Sequence, residues 1–162
     1  MVSMENVFET LVSLGIEYDK YTHQPVFTVE EARECEIPEE FGETKNLFLR
    51  NRKGDKHYLV TVEASKQVDL KKLTSELGED RLMFASPERL KKYLGLTPGS
   101  VSSFGLINDK HSDVIFILDK GLLEHEKVGL HPNINTQTLL IKSDDFMKYL
   151  DSLNNTVIQL EL

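Results

Sequence analysis

The stretch GETKNLFLRNRKGDKHYLVTV, residues 42–62, carries the clearest local fold signal in this sequence of 162 residues. Apolar side chains alternate on both sides of the turn NRKGD, which supplies the glycine that a tight reversal needs. The pattern predicts a β-hairpin. Its first strand opens with Lys45 and Asn46, whose side chains point to opposite faces. Taken alone, this pair fits an ordinary edge strand as well as the lip of a functional site.

Helices and strands alternate irregularly along the rest of the chain. Apolar residues from Met4 to Val12 have the spacing of an amphipathic helix, and Thr28 with Glu31 forms a capping box. We expect one α+β domain, residues 1–162, with a central curved mixed β-sheet flanked by helices. Further helices are expected within 68–78, after the cap Ser86, with Pro87 in the first turn and Gly95 at the end, and after the cap Ser143. One further strand is expected within each of the ranges 16–23, 81–86, 113–123, 127–141 and 156–162.

Composition bounds the environment in which the chain works. No apolar run approaches the roughly 20 residues that span a bilayer, and the first residues lack the pattern of a signal peptide. The single cysteine, Cys35, cannot form an internal disulfide. We therefore expect a cytoplasmic protein without a membrane partner. The net charge of −8 argues against binding of duplex DNA.

Charge is unevenly distributed along the chain. Residues 28–43 are strongly acidic, whereas residues 43–56 carry five bases against two acids. Two solvated surfaces would explain this, and so would a small basic patch that handles a short anionic ligand or one nucleic-acid strand. The bases at the turn of the hairpin include Arg50, Arg52 and Lys53.

Common catalytic motifs are absent from the sequence. There is no phosphate-binding glycine loop, no dinucleotide fingerprint and no G-x-S-x-G elbow. Cys35 lies among acidic residues, which disfavour a reactive thiolate. The five histidines do not show the spacing of a zinc site, although His125 and His131 lie six residues apart beside two glutamates. We expect neither a metal nor a cofactor.

Four stretches, in this order, resemble a known family: YTHQPVFTVEEA (21–32), KNLFLRNRK (45–53) with YLV (58–60), FASPERL with LGLTPGSVSSFGLIND (84–109), and HPNINTQT (131–138). The chain resembles the aminoacyl-tRNA editing domains related to YbaK and to the insertion domain of bacterial prolyl-tRNA synthetase. Within that family it is most similar to free-standing deacylases of the ProX or PrdX type. The resemblance implies the family's fold and the removal of alanine mischarged onto proline tRNA.

The same resemblance implies roles for individual residues. Lys45, with Asn46 beside it, is needed for hydrolysis and lies at the mouth of the pocket, against the terminal CCA of the tRNA. His131 lines the acyl pocket and helps to exclude proline, while His23 is only a neighbour. Arg50, Arg52 and Lys53 either guide tRNA phosphates or are merely solvated. The family's loop motif falls on Gly99, Ser100, Val101, Ser102 and Ser103, with Ser103 where proline is usual, which puts the loop's rigidity in question.

The implied reaction is hydrolysis of the ester between the amino acid and the terminal adenosine. Because an ester is already activated, a water held by the loop backbone suffices, without a protein nucleophile. The partner is the acceptor end of mischarged tRNA(Pro), and a prolyl-tRNA synthetase or elongation factor remains open as a second partner. Three alternatives also stay open: a deacylase for cysteine or serine, a non-catalytic tRNA-binding or regulatory module, and an unrelated small-molecule-binding protein.

Overall fold

A computed structural model describes residues 4–24 and 37–162. They form an eight-stranded mixed sheet with helices on both faces, which confirms the predicted α+β class. The strands are β1 (Asp19–Thr22), β2 (Gly42–Asn51), β3 (His57–Glu63), β4 (Leu82–Phe84), β5 (Val114–Asp119), β6 (Lys127–Leu130), β7 (Gln137–Lys142) and β8 (Val157–Leu160). The helices are α1 (Met4–Ser13), α2 (Leu70–Glu76), α3 (Pro87–Leu94) and α4 (Ser143–Asp151), with 3-10 helices at Ser103–Asn108 and Lys120–Glu124. The predicted Thr28 helix and Cys35 lie outside the described residues.

The sheet has the order β1-β7-β6-β2-β3-β5-β8, and β4 pairs with β2 outside this path. The predicted hairpin is the antiparallel pair β2–β3. β5 lies between β3 and β8, in parallel with both, and its side chains are almost entirely buried. A continuous apolar run at this place is typical of a strand that is covered on both faces.

The two faces of the sheet are covered by different helices. On one face α1, α3 and α4 pack over Phe48, Leu59 and Phe116. On the other face α2 packs over Leu49 and Val60. β2 and β3 therefore bury side chains on both faces of the sheet. A polar side chain within β2 is an exception that needs a structural explanation.

β2 has two different neighbours along the edge that faces away from β3. Its first two residues pair in parallel with β6, and its last three residues pair with β4. Residues 44–48 lie between these two neighbours. This gap in strand pairing lies next to the place where β6 ends at Leu130, and it decides where the candidate site forms.

The prediction that Lys45 opens its strand is wrong. β2 begins three residues earlier, at Gly42, because the pairing with β6 extends the strand beyond the hairpin's own partner. Lys45 and Asn46 therefore lie inside a strand, at the point where β6 leaves it.

Three smaller predictions are also wrong. Val12 is 72% exposed, since it lies one residue beyond the buried Leu11 and so about 100° around the helix. Ser143 does not cap α4, because its hydroxyl donates to the carbonyl of His125 instead. Residues 127–141 contain two strands, β6 and β7, where one was expected.

Other local predictions are confirmed. Ser86 caps α3 by accepting from the Arg89 N–H, and Pro87 occupies the first turn of that helix. Gly95 ends α3 in the left-handed conformation, with φ +67°. Within the described residues, no helix has the length and apolar character needed to cross a membrane.

Candidate functional site

Asn46 fastens β2 to the loop that follows α3. Its amide nitrogen donates to the carbonyl of Val101 at 3.2 Å, and its amide oxygen accepts from the hydroxyl of Thr61 at 2.5 Å. Thr61 is the cross-strand partner of Asn46 on β3 and is fully buried. The buried polar pair of Asn46 and Thr61 is thus explained by the loop that Asn46 holds. This loop lies along the unpaired part of β2.

The loop reaches this position through backbone conformations that need glycine. Gly99 has φ +91°, in the region that side chains disfavour. The N–H of the next residue, Ser100, donates to the carbonyl of Thr97 at 3.1 Å and closes a turn that has Gly99 at its third position. The predicted place of Gly99 in the loop motif therefore has a conformational reason.

Ser102 joins the loop to the segment that follows β6. Its hydroxyl donates to the carbonyl of His131 at 2.6 Å and accepts from the N–H of Phe104 at 3.1 Å. The next residue, Ser103, accepts at its carbonyl from the Tyr149 hydroxyl at 2.9 Å. Burial raises the pKa of Tyr149, so this donor stays protonated. The loop is therefore held by β2, by the His131 segment and by α4.

His131 is held as a neutral ring. Its Nδ1 lies 3.0 Å from the carbonyl of Gln137, and because a carbonyl only accepts, Nδ1 carries the proton. Burial lowers the pKa of His131, and the nearby His23 lowers it further, against the opposing effect of the Gln137 carbonyl. The two rings meet edge to face, with centroids 6.4 Å apart, and His23 is itself bonded to Thr138. The Nε2 of His131 is left as an acceptor.

Lys45 lies on the other face of β2 from Asn46, because side chains alternate along a strand. It is half-buried and stands opposite Val62 on β3. Within residues 4–24 and 37–162, no hydrogen bond or ion pair engages its ammonium group. The structure therefore places Lys45 within the gap in strand pairing without fixing it to the loop.

Four buried polar atoms beside this junction have no hydrogen-bond partner in the described part of the chain. Two belong to the side-chain amide of Asn133, one is the Oε1 of Gln137 and one is the Oγ of Ser103. Asn133 also has φ +64°. Asparagine is one of the few residue types other than glycine that adopt this conformation readily.

The basic residues at the hairpin turn lie away from this junction. Arg50 donates to the carbonyls of Asn51 and Arg52, and Arg52 forms an exposed ion pair with Asp80 at 3.5 Å. Lys53 is exposed. Arg52 follows Lys45 by seven positions, just beyond the end of β2, which corresponds to about 23 Å along an extended strand.

The two histidines with metal-like spacing are directed to different partners. His125 bonds to Glu63 at 2.8 Å, whereas His131 faces Gln137 and His23. Among the residues that the structure describes, no group of three or more histidine, cysteine or acidic side chains is placed to hold a metal ion.

Asn46, the loop 99–103 and His131 are thus brought together by hydrogen bonds, while Lys45 is adjacent and the hairpin bases are remote. Sequence reasoning missed Thr61, Asn133 and Gln137. Thr61 carries no signal, because a threonine in a strand is ordinary. The run His-Pro-Asn does carry one, since asparagine after proline favours a turn with positive φ.

Known proteins show the same architecture. The family model described as "Aminoacyl-tRNA editing domain" matches residues 23–149. The chain is 40% identical over 162 residues to the prolyl-tRNA editing protein ProX of Acetoanaerobium sticklandii, covering 100% of this chain and 99% of that protein. It is 33% identical over 154 residues to the prolyl-tRNA synthetase associated domain-containing protein 1 of Bos taurus, covering 93% and 90%.

Among solved structures, that of a candidate trans-editing enzyme for prolyl-tRNA synthetase superposes with a TM-score of 0.74 at 21% identity. The superposition covers 100% of this chain and 99% of that one, and it supports the fold. The family model and the whole-length identity to ProX go further, and together they show that the chain belongs to the aminoacyl-tRNA editing domain family.

Proposed function

We propose that this protein is a trans-editing deacylase, which hydrolyses the ester that links a mischarged amino acid to tRNA(Pro), with alanine as the amino acid. The observation that carries the proposal is the junction of Asn46, Val101, Ser102 and His131 in the gap between β6 and β4. Family membership and the name of the ProX relative support the reaction class and the tRNA.

The chemistry proposed for the junction needs no protein nucleophile. Among the described residues, the backbone N–H groups of Val101 and Ser102 donate to no protein acceptor, although the Val101 carbonyl and the Ser102 hydroxyl are both hydrogen-bonded. Backbone N–H groups fixed in this way can stabilise the oxyanion that forms when water attacks the ester carbonyl. The hydrogen bonds of Asn46 and Ser102 keep these groups in place before the substrate arrives. Gly99 gives the loop the turn that this placement requires.

Lys45 has the chemistry of a phosphate contact. An ammonium group is a compact charge with three donors, suited to a phosphate oxygen or a developing oxyanion. Because its ammonium is unengaged in the described structure, we propose that Lys45 holds the terminal CCA at the open edge of β2. This orients the ester toward the loop on the opposite face.

His131 is proposed to contact the acyl group as a neutral ring. A synthetase pocket built for proline discriminates poorly against the smaller alanine, since a methylene is worth only about 1–3 kcal/mol. A second site can accept alanine and exclude proline by size. The ring of His131, fixed by Gln137 and by its contact with His23, is a rigid wall suited to that task.

The proposal also covers the surface that meets the rest of the tRNA, the place where the protein works and its protein partners. A family of aminoacyl-tRNA editing domains acts on mischarged tRNA, and such tRNA is used in the cytoplasm, where we propose this protein works. Arg50, Arg52 and Lys53 are proposed to meet tRNA phosphates, although the ion pair of Arg52 with Asp80 fits a structural role equally well. Assembly with a synthetase or elongation factor and the single-domain organisation over residues 1–162 remain predictions.

A non-catalytic tRNA-binding module is the second candidate, favoured by Ser103 at the place of the family proline. Three other contacts restrain the loop, however: the Asn46 bond, the Ser102 bond and the Tyr149 bond to the Ser103 carbonyl. The stiffness that proline would supply is therefore replaced, and deacylation is the better supported function.

Hydrolysis of tRNA(Pro) charged with alanine, cysteine, serine or proline distinguishes the candidates. We expect alanine to be released fastest and proline to be retained. Release of cysteine or serine in place of alanine would support deacylation but would contradict alanine as the amino acid that is removed. Tight binding of every charged tRNA without hydrolysis of any would favour the binding module.

A further inference from the structure

Asn133 is the most unusual polar residue near the junction. It is 7% exposed, yet neither its amide oxygen nor its amide nitrogen has a hydrogen-bond partner among the described residues. The Oε1 of Gln137 is buried in the same unpartnered state. Leaving such groups unpaired in a folded protein costs about 1–3 kcal/mol each, so a ligand or an ordered water is expected to satisfy them.

Both residues follow His131 closely in the chain. Asn133 follows it by two positions, in the loop between β6 and β7. Gln137 accepts the His131 Nδ1–H at its main-chain carbonyl. Three acceptors that receive no donor in the described residues thus belong to one short segment, residues 131–137: the amide oxygens of Asn133 and Gln137 and the Nε2 of His131. The proposed editing reaction uses His131 for size and does not use the other two.

We propose that Asn133 and Gln137, with the Nε2 of His131, bind the α-amino group of the substrate's aminoacyl moiety. This inference rests on the proposed function. An α-amine has an unperturbed pKa of about 7.7–8.0 and donates two or three hydrogen bonds in either protonation state. It therefore matches a set of neutral acceptors. The site selects esters that carry a free amine, and an acylated amine, as in peptidyl-tRNA, keeps only one of these donors.

The test compares two non-hydrolysable analogues of the tRNA terminus. In 3'-deoxy-3'-(alanylamino)adenosine the α-amine is present, and in 3'-deoxy-3'-(propionylamino)adenosine hydrogen replaces it without added bulk. Binding of each is measured by calorimetry or NMR titration. We expect the propionyl compound to bind about 10- to 100-fold more weakly, the effect of losing hydrogen bonds to buried acceptors.

The variants locate the effect. Gln137→Met keeps length and removes the acceptor, and Asn133→Gly keeps the positive φ and removes the amide. Each should reduce the preference for the alanyl compound at least about threefold, and together they should abolish it. Gln137→Glu restores an acceptor and should restore the preference. The exposed Gln159→Met is the matched control and should behave as the wild type.

Equal binding of the two analogues by the wild type, no binding of either, or an unchanged preference in the folded double variant would each overturn the proposal. Those results would leave water as the partner of the buried amides. A clear preference for the alanyl compound in a protein that fails to hydrolyse alanyl-tRNA(Pro) would support the amine site and contradict the proposed function. Failure of one claim is therefore distinguishable from failure of the other.

Discussion

The hydroxyl of Ser102 donates to the carbonyl of His131 at 2.6 Å, and this bond joins the loop after α3 to the loop after β6. The two residues are 29 positions apart in the chain. Because Ser102 also receives the N–H of Phe104, its side chain is fixed from both sides. A displacement of the glycine loop must therefore move the backbone at His131, and both halves of the proposed site respond together.

Replacement of Gly99 should disturb the site through the backbone. With φ +91°, Gly99→Ala places a Cβ in a disfavoured conformation at a cost of about 1–3 kcal/mol. We expect loss of most deacylation activity together with that loss of stability, measured by thermal unfolding. Gly78→Ala is the matched control, since Gly78 has φ +71° and ends α2, away from the loop. Equal activity loss in both variants would contradict a local role for Gly99.

Ser103→Pro should be tolerated and should stabilise the fold. Ser103 begins a 3-10 helix, where proline fits, and Ser102 before it has φ −149° and ψ 148°, the conformation that precedes proline. The Oγ that is lost has no partner in the described residues. We expect a gain of about 0.4–1 kcal/mol in the free energy of unfolding, measured with urea. A loss of more than about 1 kcal/mol would show that the loop differs from the family's at this position.

Buried His57 should make the protein less stable in acid. Burial, with Arg89, Arg50 and Lys92 nearby, lowers the pKa of His57 to about 4. Arg89 donates to its Nε2 at 3.0 Å, a bond that a protonated ring cannot accept. The unfolded chain binds this proton near pH 6.5 and the folded protein only near pH 4, so stability falls as pH drops through that window.

The difference between the two pKa values corresponds to at most about 3 kcal/mol. The free energy of unfolding of His57→Gln should therefore change less between pH 6.5 and pH 4 than that of the wild type. The exposed His111→Gln is the control and should keep the full dependence. Parallel curves for wild type and His57→Gln would show that other groups cause the acid sensitivity.

Reversal of charge at the hairpin turn tests the basic patch. If Arg52 and Lys53 guide tRNA, Arg52→Glu with Lys53→Glu should lower kcat/KM at low salt and flatten its salt dependence. Lys71→Glu with Lys72→Glu, on exposed positions of α2, changes the net charge equally and should have the smaller effect. Identical kinetics in the two double variants would assign the patch to its contacts with acids such as Asp80.

Much of the fold follows from local patterns in the sequence. The alternation around residues 42–62 predicts the hairpin, and Ser86, Pro87 and Gly95 mark α3, because these signals depend on neighbours in the chain. The gap beside β2 could not be predicted, because it arises from the parallel pairing of β2 with β6, more than 80 residues away. Local patterns carry no information about such a partner.

The candidate site likewise combines features that the sequence predicts with features that depend on distant partners. The loop and His131 were predicted from the resemblance, and their neighbourhood is now explained by hydrogen bonds of Asn46 and Ser102. Ser143 was wrongly predicted as a cap, since the carbonyl that binds its hydroxyl belongs to a distant loop. Side-chain partners of this kind depend on the tertiary structure.

The most direct test of the account is single-turnover deacylation of alanyl-tRNA(Pro) by the wild type and by Lys45→Ala, with prolyl-tRNA(Pro) as the second substrate. The exposed Lys142→Ala is the matched control. We expect fast release of alanine, retention of proline and a decrease of about 100-fold in the folded Lys45→Ala variant, the size of loss that a misplacement of the reacting groups by about 1 Å can cause. Alanine release at the wild-type rate by Lys45→Ala, or proline release as fast as alanine release, would contradict it.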